Sequence, residues 1–181
     1  MTDHPYDERQ KPLFTLGPGS KELDAINRQI LKELQGDPRL SMTERGRRVG
    51  LSSPSVTERV RRLEAAGIIR GYRLEVDPAK LGLPVSAYIR VRPNPGQLTK
   101  VAELARRIPQ VVECHRITGE DCFIIKAYIP AIDQLDRLLD LFLAHGSTTT
   151  TIIQSSPVPL RAVPLPTQTV SRASYLHRRR R

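Results

Sequence analysis

Glu113-Cys114-His115, with Cys122 a few residues beyond, is the one short stretch that gathers a carboxylate, two thiols and an imidazole. Such a set ligates zinc or activates a nucleophile only where the side chains converge. On an extended strand Cys114 and His115 point to opposite sides, and only Glu113 and His115 share one. A hairpin centred on Gly119-Glu120 sets Cys114 beside Ile125, away from Cys122. His4, His145 and His177 are far apart in the sequence, and neither a Gly-rich phosphate loop nor a nucleophile elbow occurs. Two cysteines are too few for a disulfide framework. The sequence therefore predicts no enzyme, no metal and no cofactor.

A second stretch, Ser52 to Arg62, mixes small hydroxyls with cations. With Val56, Val60 and Leu63 on the inner side of a helix, a turn of about 100° per residue brings Pro54, Ser55, Glu58, Arg61 and Arg62 outward. Thr57 and Arg59 fall on the flanks. Small hydroxyls and one carboxylate can meet base edges, and arginines can hold phosphates or guanine. The DNA-contact candidates are Ser52, Ser53, Ser55, Thr57, Glu58, Arg59, Arg61 and Arg62, with Arg73 beyond the helix. An ordinary solvated helix with capping serines carries similar charges, so the surroundings must decide.

The chain has 181 residues, with 29 Lys plus Arg against 19 Asp plus Glu and a formal charge of +10. That charge is uneven. Residues 1–84 carry 15 basic and 12 acidic side chains, residues 85–155 carry 8 and 7, and residues 156–181 carry 6 and none. Residues 41–73 hold 8 Arg against 3 Glu, an excess that the acidic start of the chain conceals. This local excess around Ser52 to Arg62 favours a polyanion there.

Helices must position those residues. Leu23, Ile26, Ile30, Leu31 and Leu34 recur at helical spacing, and Gly36-Asp37-Pro38 closes the run. Ser41-Met42-Thr43-Glu44 has the spacing of a capping box in which serine and glutamate satisfy orphan amides, opening a short helix to about Val49. Gly50-Leu51 makes a turn, Ser52 caps, Pro54 fits a first turn, and the third helix runs to Gly67. Two short helices across a glycine turn, backed by a longer one, form a helix-turn-helix. Ile68 to Val76 reads as extended.

After Asp77-Pro78 the period changes. Val85, Ala87, Ile89 and Val91 alternate with Ser86, Tyr88, Arg90 and Arg92 as in a strand. A helix through Leu98, Val101, Ala105 and Ile108 follows, then strands at 111–118 and 122–129 around a turn at Gly119-Glu120-Asp121. A helix through Ile132, Leu135, Leu138, Leu139 and Phe142, stopped by Gly146, leads to a last strand at 148–155. The order βαββαβ is ferredoxin-like, with helices on one face of the sheet. The other face carries Tyr88, Ile124 and Tyr128 and invites pairing with a second sheet.

The expected class is therefore α+β, in five segments: a disordered arm at 1–20, a winged helix-turn-helix at 21–76, a linker at 77–84, a ferredoxin-like domain at 85–156, and a Pro-rich and Arg-rich tail at 157–181. No apolar run approaches the roughly 18 to 20 residues of a membrane helix, and the polar start lacks a secretory core. A cytoplasmic protein without a membrane partner is expected.

These residues resemble the Lrp/AsnC (leucine-responsive, feast/famine) bacterial transcription regulators. The likeness runs from Leu23 to about Leu165. Its most specific segment is VGLSSPSVTERVRRLEAAGIIRGYRLEVDPAKLG, residues 49–82; RITGEDCFIIKAYI at 116–129 and GSTTTTIIQSSPVPLRAVPLP at 146–166 resemble the family's effector-binding RAM domain. The resemblance implies a homodimer joined through its sheets, further assembly to an octamer or similar, and an amino-acid effector bound between dimers. It implies nucleoid-associated work on double-stranded DNA. For the effector, the amides of the Gly119 turn suit a carboxylate, Glu120 and Asp121 suit an ammonium, and Thr149, Thr150 and Thr151 are the neighbouring hydroxyls.

Three departures stand out. Where the family usually has Glu-Leu-Ala on the second helix, this chain has Glu44-Arg45-Gly46, which puts a charge at a core position and a helix-weakening glycine after it, at a cost of up to about 1 kcal/mol. Loose packing of that helix is expected. Gly119 is followed by Glu120-Asp121-Cys122 where many members have Gly-x-x-Asp. The terminal Arg178 to Arg181 lie outside the shared pattern and suit either general phosphate attraction or a solvated tail. The competing class is a ligand-binding or assembly module with only non-specific nucleic-acid affinity.

Overall fold

The structure, a computed structural model, describes residues 22–166. The expected arm at 1–20 and the basic end of the tail lie outside the described residues. By contacts, the described residues up to Arg73 group with those from Leu160 onward, and Leu74–Pro159 form a second unit.

In the first unit each helix starts at a side chain able to accept an orphan amide. Asp24 takes the Asn27 amide at 2.6 Å and opens α1, Ala25–Gly36. Ser41 takes the Glu44 amide at 3.1 Å and opens α2, Met42–Val49. Ser52 caps α3, Ser53–Ala65, with Pro54 in its first turn. Gly50, at φ +70°, ends α2 in the left-handed conformation that favours glycine. Ile30, Leu31, Leu34, Val56, Val60 and Leu63 form the buried core, and Ile68 and Ile69 pack against it. From Arg70 the expected extended segment runs on exposed, and among the described residues it pairs with no strand.

Two expectations for α2 change. The carboxylate half of the capping box is spent elsewhere, because both Glu44 oxygens receive guanidinium groups. Gly46 tightens the packing instead of loosening it: a Cβ there would lie 2.5 Å from the Leu51 carbonyl oxygen. Arg45 is fully buried, as its position predicts, and one terminal nitrogen donates to the Asp37 carbonyl at 3.0 Å. Residues 160–166 also belong to this unit. Leu165 packs against the core and Gln35 donates to the Val163 carbonyl at 3.1 Å, so this part of the expected tail is docked.

The second unit is a four-stranded antiparallel sheet in the order β2-β3-β1-β4, with β1 at Val85–Pro93, β2 at Val111–Arg116, β3 at Phe123–Ile129 and β4 at Gly146–Ile152. The helices α4, Leu98–Arg107, and α5, Leu135–Leu143, lie in the connections of the βαββαβ order. Ala87, Ile89, Val91, Phe123, Ile125, Ala127 and Ile129 alternate inward and pack with Val101, Ala105, Leu135, Leu138 and Phe142. Gly146, expected only to stop the helix, begins β4. A Cβ at this position would stand 2.1 Å from the Arg92 carbonyl oxygen, so close pairing with β1 requires glycine.

Candidate nucleic-acid interface and effector face

The burial of Val56, Val60 and Leu63 turns the opposite side of α3 to solvent. Arg61 and Arg62 are the most exposed of its cations, at 68 and 69%. Glu58 stands between them. Arg61 reaches it with two nitrogens, each at 2.9 Å, and Arg62 Nε at 2.8 Å. These bonds, first from Arg61 and then from Arg62, pull the Glu58 carboxyl down to about 2.

The other candidates divide by what already holds them. The Ser52 and Ser55 hydroxyls lie 2.9 Å apart, and Ser52 also caps the helix. The Thr57 hydroxyl donates to the Ser53 carbonyl at 2.9 Å, a bond within the helix. Arg59 points to α1: one nitrogen reaches Asp24 at 2.7 Å and Asn27 at 2.9 Å. Arg73 lies in the exposed extended stretch. The structure thus gathers Ser55, Glu58, Arg61 and Arg62 on one open face, while Arg59 ties two helices together.

A further pattern escapes a reading based on apolar period alone. Thr43-Glu44-Arg45-Gly46-Arg47-Arg48-Val49 and Thr57-Glu58-Arg59-Val60-Arg61-Arg62-Leu63 are two copies of Thr-Glu-Arg-x-Arg-Arg-apolar, 14 residues apart. Their side chains behave alike. Glu44 receives Arg47 at 2.8 and 2.6 Å and Arg48 at 3.2 Å, and its carboxyl is pulled down to about 2 by Arg47 and then Arg48. The inner arginines reach opposite ends of α1, Arg45 at the Asp37 carbonyl and Arg59 at the Asp24 cap. Arg48 is held a second time, by Glu33 at 2.9 Å. Equal spacing of the two Glu-Arg-x-Arg-Arg runs was the signal in the sequence.

On the sheet unit, alternation places Tyr88, Arg90, Arg92, Ile124, Lys126 and Tyr128 on the face away from the helices. Lys126 lies over both tyrosine rings, 6.0 Å from the Tyr88 centroid and 5.5 Å from that of Tyr128. The acidic effector candidates are already engaged. Glu120 pairs with Arg92, and Asp121 lies 3.6 Å from both Arg90 and Arg92. Gly119 takes φ +108°, a conformation that suits glycine in the turn beside them. Thr149 stands opposite Arg90 and Thr151 opposite Tyr88, both on the open face. Thr150 stands opposite buried Ile89, and its hydroxyl oxygen is buried without a hydrogen-bond partner among the described residues. The three threonines therefore do not form one surface. Arg90 and Arg92, which can hold a carboxylate, join the candidates, and the alternation in β1 already set both on this face.

Cys114 pairs in register with Ile125, as the hairpin geometry requires. Its thiol is pushed up by burial, against an opposing pull from Arg106. His115 and Glu113 share the open face at 3.5 Å. Among the described residues no group of three or more His, Cys, Asp or Glu could hold a metal ion, and no helix is long and apolar enough to cross a membrane.

Residues 23–70 match the winged helix-turn-helix DNA-binding family, and residues 86–163 match the Lrp/AsnC ligand binding domain. The HTH-type transcriptional regulator LrpC of Bacillus subtilis is 39% identical over 134 residues, 74% of this chain and 93% of that protein. The leucine-responsive regulatory protein of Escherichia coli is 35% identical over 122 residues, 66% of this chain and 74% of that one. The solved structure of B. subtilis LrpC matches with a TM-score of 0.71 over 74% of this chain and 96% of its own. A Neisseria meningitidis transcriptional regulator solved as an L-Met complex matches with a TM-score of 0.72 at 28% identity, over 78% of this chain and 96% of that one. With both domains matched and a regulator 39% identical across nearly its whole length, the chain belongs to the Lrp/AsnC family of transcriptional regulators.

Proposed function

We propose that this regulator reads double-stranded DNA with the open face of α3 and answers to an amino acid held on its sheet unit. The observation that carries the DNA reading is the outward set Ser55, Glu58, Arg61 and Arg62, mounted on a helix whose opposite side is buried. In a helix-turn-helix the second helix enters the major groove with its N-terminal residues near base edges. Ser55 and Glu58 suit bases there, and Arg61 and Arg62 suit phosphates. Ser52, Ser53 and Thr57 contribute through the helix start, and Arg73 as a flanking cation. Arg59 acts by setting α3 against α1.

The effector reading draws on Gly119, Glu120, Asp121, Thr149 and Thr151, with Arg90 and Arg92 for the carboxylate of an amino acid. Thr150 is left out because it lies on the helix side of the sheet. Tyr88, Ile124 and Tyr128 give the open face enough apolar area to favour a homodimer through paired sheets, with assembly of dimers into an octamer or similar particle. Two reading heads in a dimer suit a roughly palindromic site. An effector that favours one assembly over another couples amino-acid level to promoter occupancy on cytoplasmic, nucleoid DNA.

A gel-shift titration with the protein's own upstream region against a scrambled competitor tests the reading. Preference for the upstream region is expected; equal affinity for both would leave only a module with general nucleic-acid affinity. Thermal shift across the proteinogenic amino acids at millimolar concentration tests the effector. No shift with any of them would remove that part.

A further inference from the structure

The twin repeats make the same local device on two helices. In each, a glutamate holds the arginines three and four residues on, and the arginine next to the glutamate turns inward to α1. On the outer side Arg47, Arg61 and Arg62 are 68 to 74% exposed, yet Glu44 or Glu58 occupies each of them. Exposed pairs of this kind are weak, worth about 0 to 1 kcal/mol at most sites. A phosphate, which also takes arginine through two parallel hydrogen bonds, can displace the glutamate. The displaced carboxylate then stays beside the duplex with its negative charge.

The two glutamates meet different parts of DNA. In a helix-turn-helix the first helix crosses the backbone, whereas the second lies against base edges. In that arrangement Glu44, on α2, would face phosphates whatever the sequence. Glu58, in the second turn of α3, can accept from a cytosine amino group where the sequence supplies one.

We propose that Glu44 and Glu58 restrain the DNA-binding arginines: Glu44 lowers affinity for every duplex, and Glu58 lowers it except where a cytosine amino group receives its carboxylate. Glu44 thereby sets a general ceiling on affinity. Glu58 adds discrimination by penalising the wrong sequence. The proposal rests on α3 being the DNA-contacting helix. It adds α2, with Arg47 as the cation Glu44 withholds; Arg48 stays anchored by Glu33.

Fluorescence-anisotropy titrations of the full chain, with its own upstream duplex and a scrambled duplex over a salt series, test it. Glu44→Gln is expected to bind both duplexes more tightly, by up to about 8-fold near 0.1 M salt, with the salt slope steeper by about 0.9, the effect of one negative charge fewer beside the phosphates. Adding Arg47→Ala to that variant should return both values to the parent's or below. Glu58→Gln is expected to gain on the scrambled duplex but not on the upstream one, so that the ratio between them narrows. Glu44→Ala removes the same charge in a better helix former and serves if the glutamine variant unfolds. Unchanged affinity and slope in the Glu44 variants, or a gain that survives Arg47→Ala, would overturn the restraint at Glu44; an unchanged ratio in Glu58→Gln would overturn it at Glu58. A parent that binds neither duplex would instead end the DNA reading itself, and the restraint with it.

Discussion

Gly46 and Leu51 close the turn of the reading head on each other. The Leu51 amide donates to the Gly46 carbonyl at 2.9 Å, and a Cβ on Gly46 would stand 2.5 Å from the Leu51 carbonyl oxygen. Two effects compete when Gly46→Ala is made. Alanine gains about 1 kcal/mol in a helix interior. Forcing backbone apart in a packed site costs about 1 to 3 kcal/mol. The second should win, giving a net loss of about 1 kcal/mol in urea denaturation of the full chain. A more stable alanine variant would show that the turn opens freely.

Asp24 and Arg59 fasten the start of α1 to α3 at 2.7 Å, while the Asp24 side chain also caps α1. Asp24→Ala loses both and should destabilise the head by about 1 to 2 kcal/mol, the usual cost of losing a cap. Asp24→Asn keeps an oxygen for the cap and should lose less. Partial burial acts to raise the Asp24 carboxyl, but the Asn27 amide and Arg59 outweigh it and leave it lowered. Its contribution is thus complete above the ordinary aspartate range and disappears as pH falls through the lowered value. Arg59→Ala should weaken DNA binding without reducing the salt slope, because Arg59 positions α3. A slope reduced by about 0.9 would make Arg59 a phosphate contact instead.

Leu165, about 100 residues beyond α3 in the sequence, lends the head an apolar side chain. Because it is only partly buried, Leu165→Ala should cost about 1 to 2 kcal/mol, less than a full core truncation. Hydrogen exchange is expected to speed up in α1 and α3 and to stay unchanged in β1 and β3. Equal acceleration in both units, or none in either, would count against a contribution confined to the head.

Much of this was legible from period and punctuation. Val56, Val60 and Leu63 at helical spacing defined which side of α3 faces outward, and the βαββαβ order came from a change of period near Val85. The capping serines Ser41 and Ser52 were equally plain, since their chemistry is local. What escaped depends on contacts between distant residues. Nothing local in Gly46 or Gly146 tells whether a glycine weakens a helix, stops one, or makes room for a neighbouring carbonyl. The period puts Arg59 on the flank of α3 as a cation for DNA, and its partners Asp24 and Asn27 lie 35 and 32 residues away in the chain. Thr150 separated from Thr149 and Thr151 by alternation alone, so that division could have been made from sequence. The docking of Leu165 could not, because a Pro-rich segment carries no period to show which face it covers.

Glu44 and Glu58 also set a pH dependence whose sign can be worked out. Both carboxyls sit at about 2 in the folded chain, against 4.5 ordinarily, because of their paired arginines. A folded-state value below the unfolded one gives stability that is present above the unfolded value and is lost as pH falls towards the folded one. Both side chains are solvent-facing, so screening keeps the effect small. The urea midpoint of the parent should exceed that of a Glu44→Gln, Glu58→Gln double variant by a constant amount above about pH 5, with the gap closing between about pH 4.5 and pH 2. Comparing parent with variant cancels the titration of carboxylates common to both. A gap that closes above about pH 5, or persists to pH 2, would mean that the forks do not hold in solution; the proposed restraint on Arg47, Arg61 and Arg62 would then lose its structural basis.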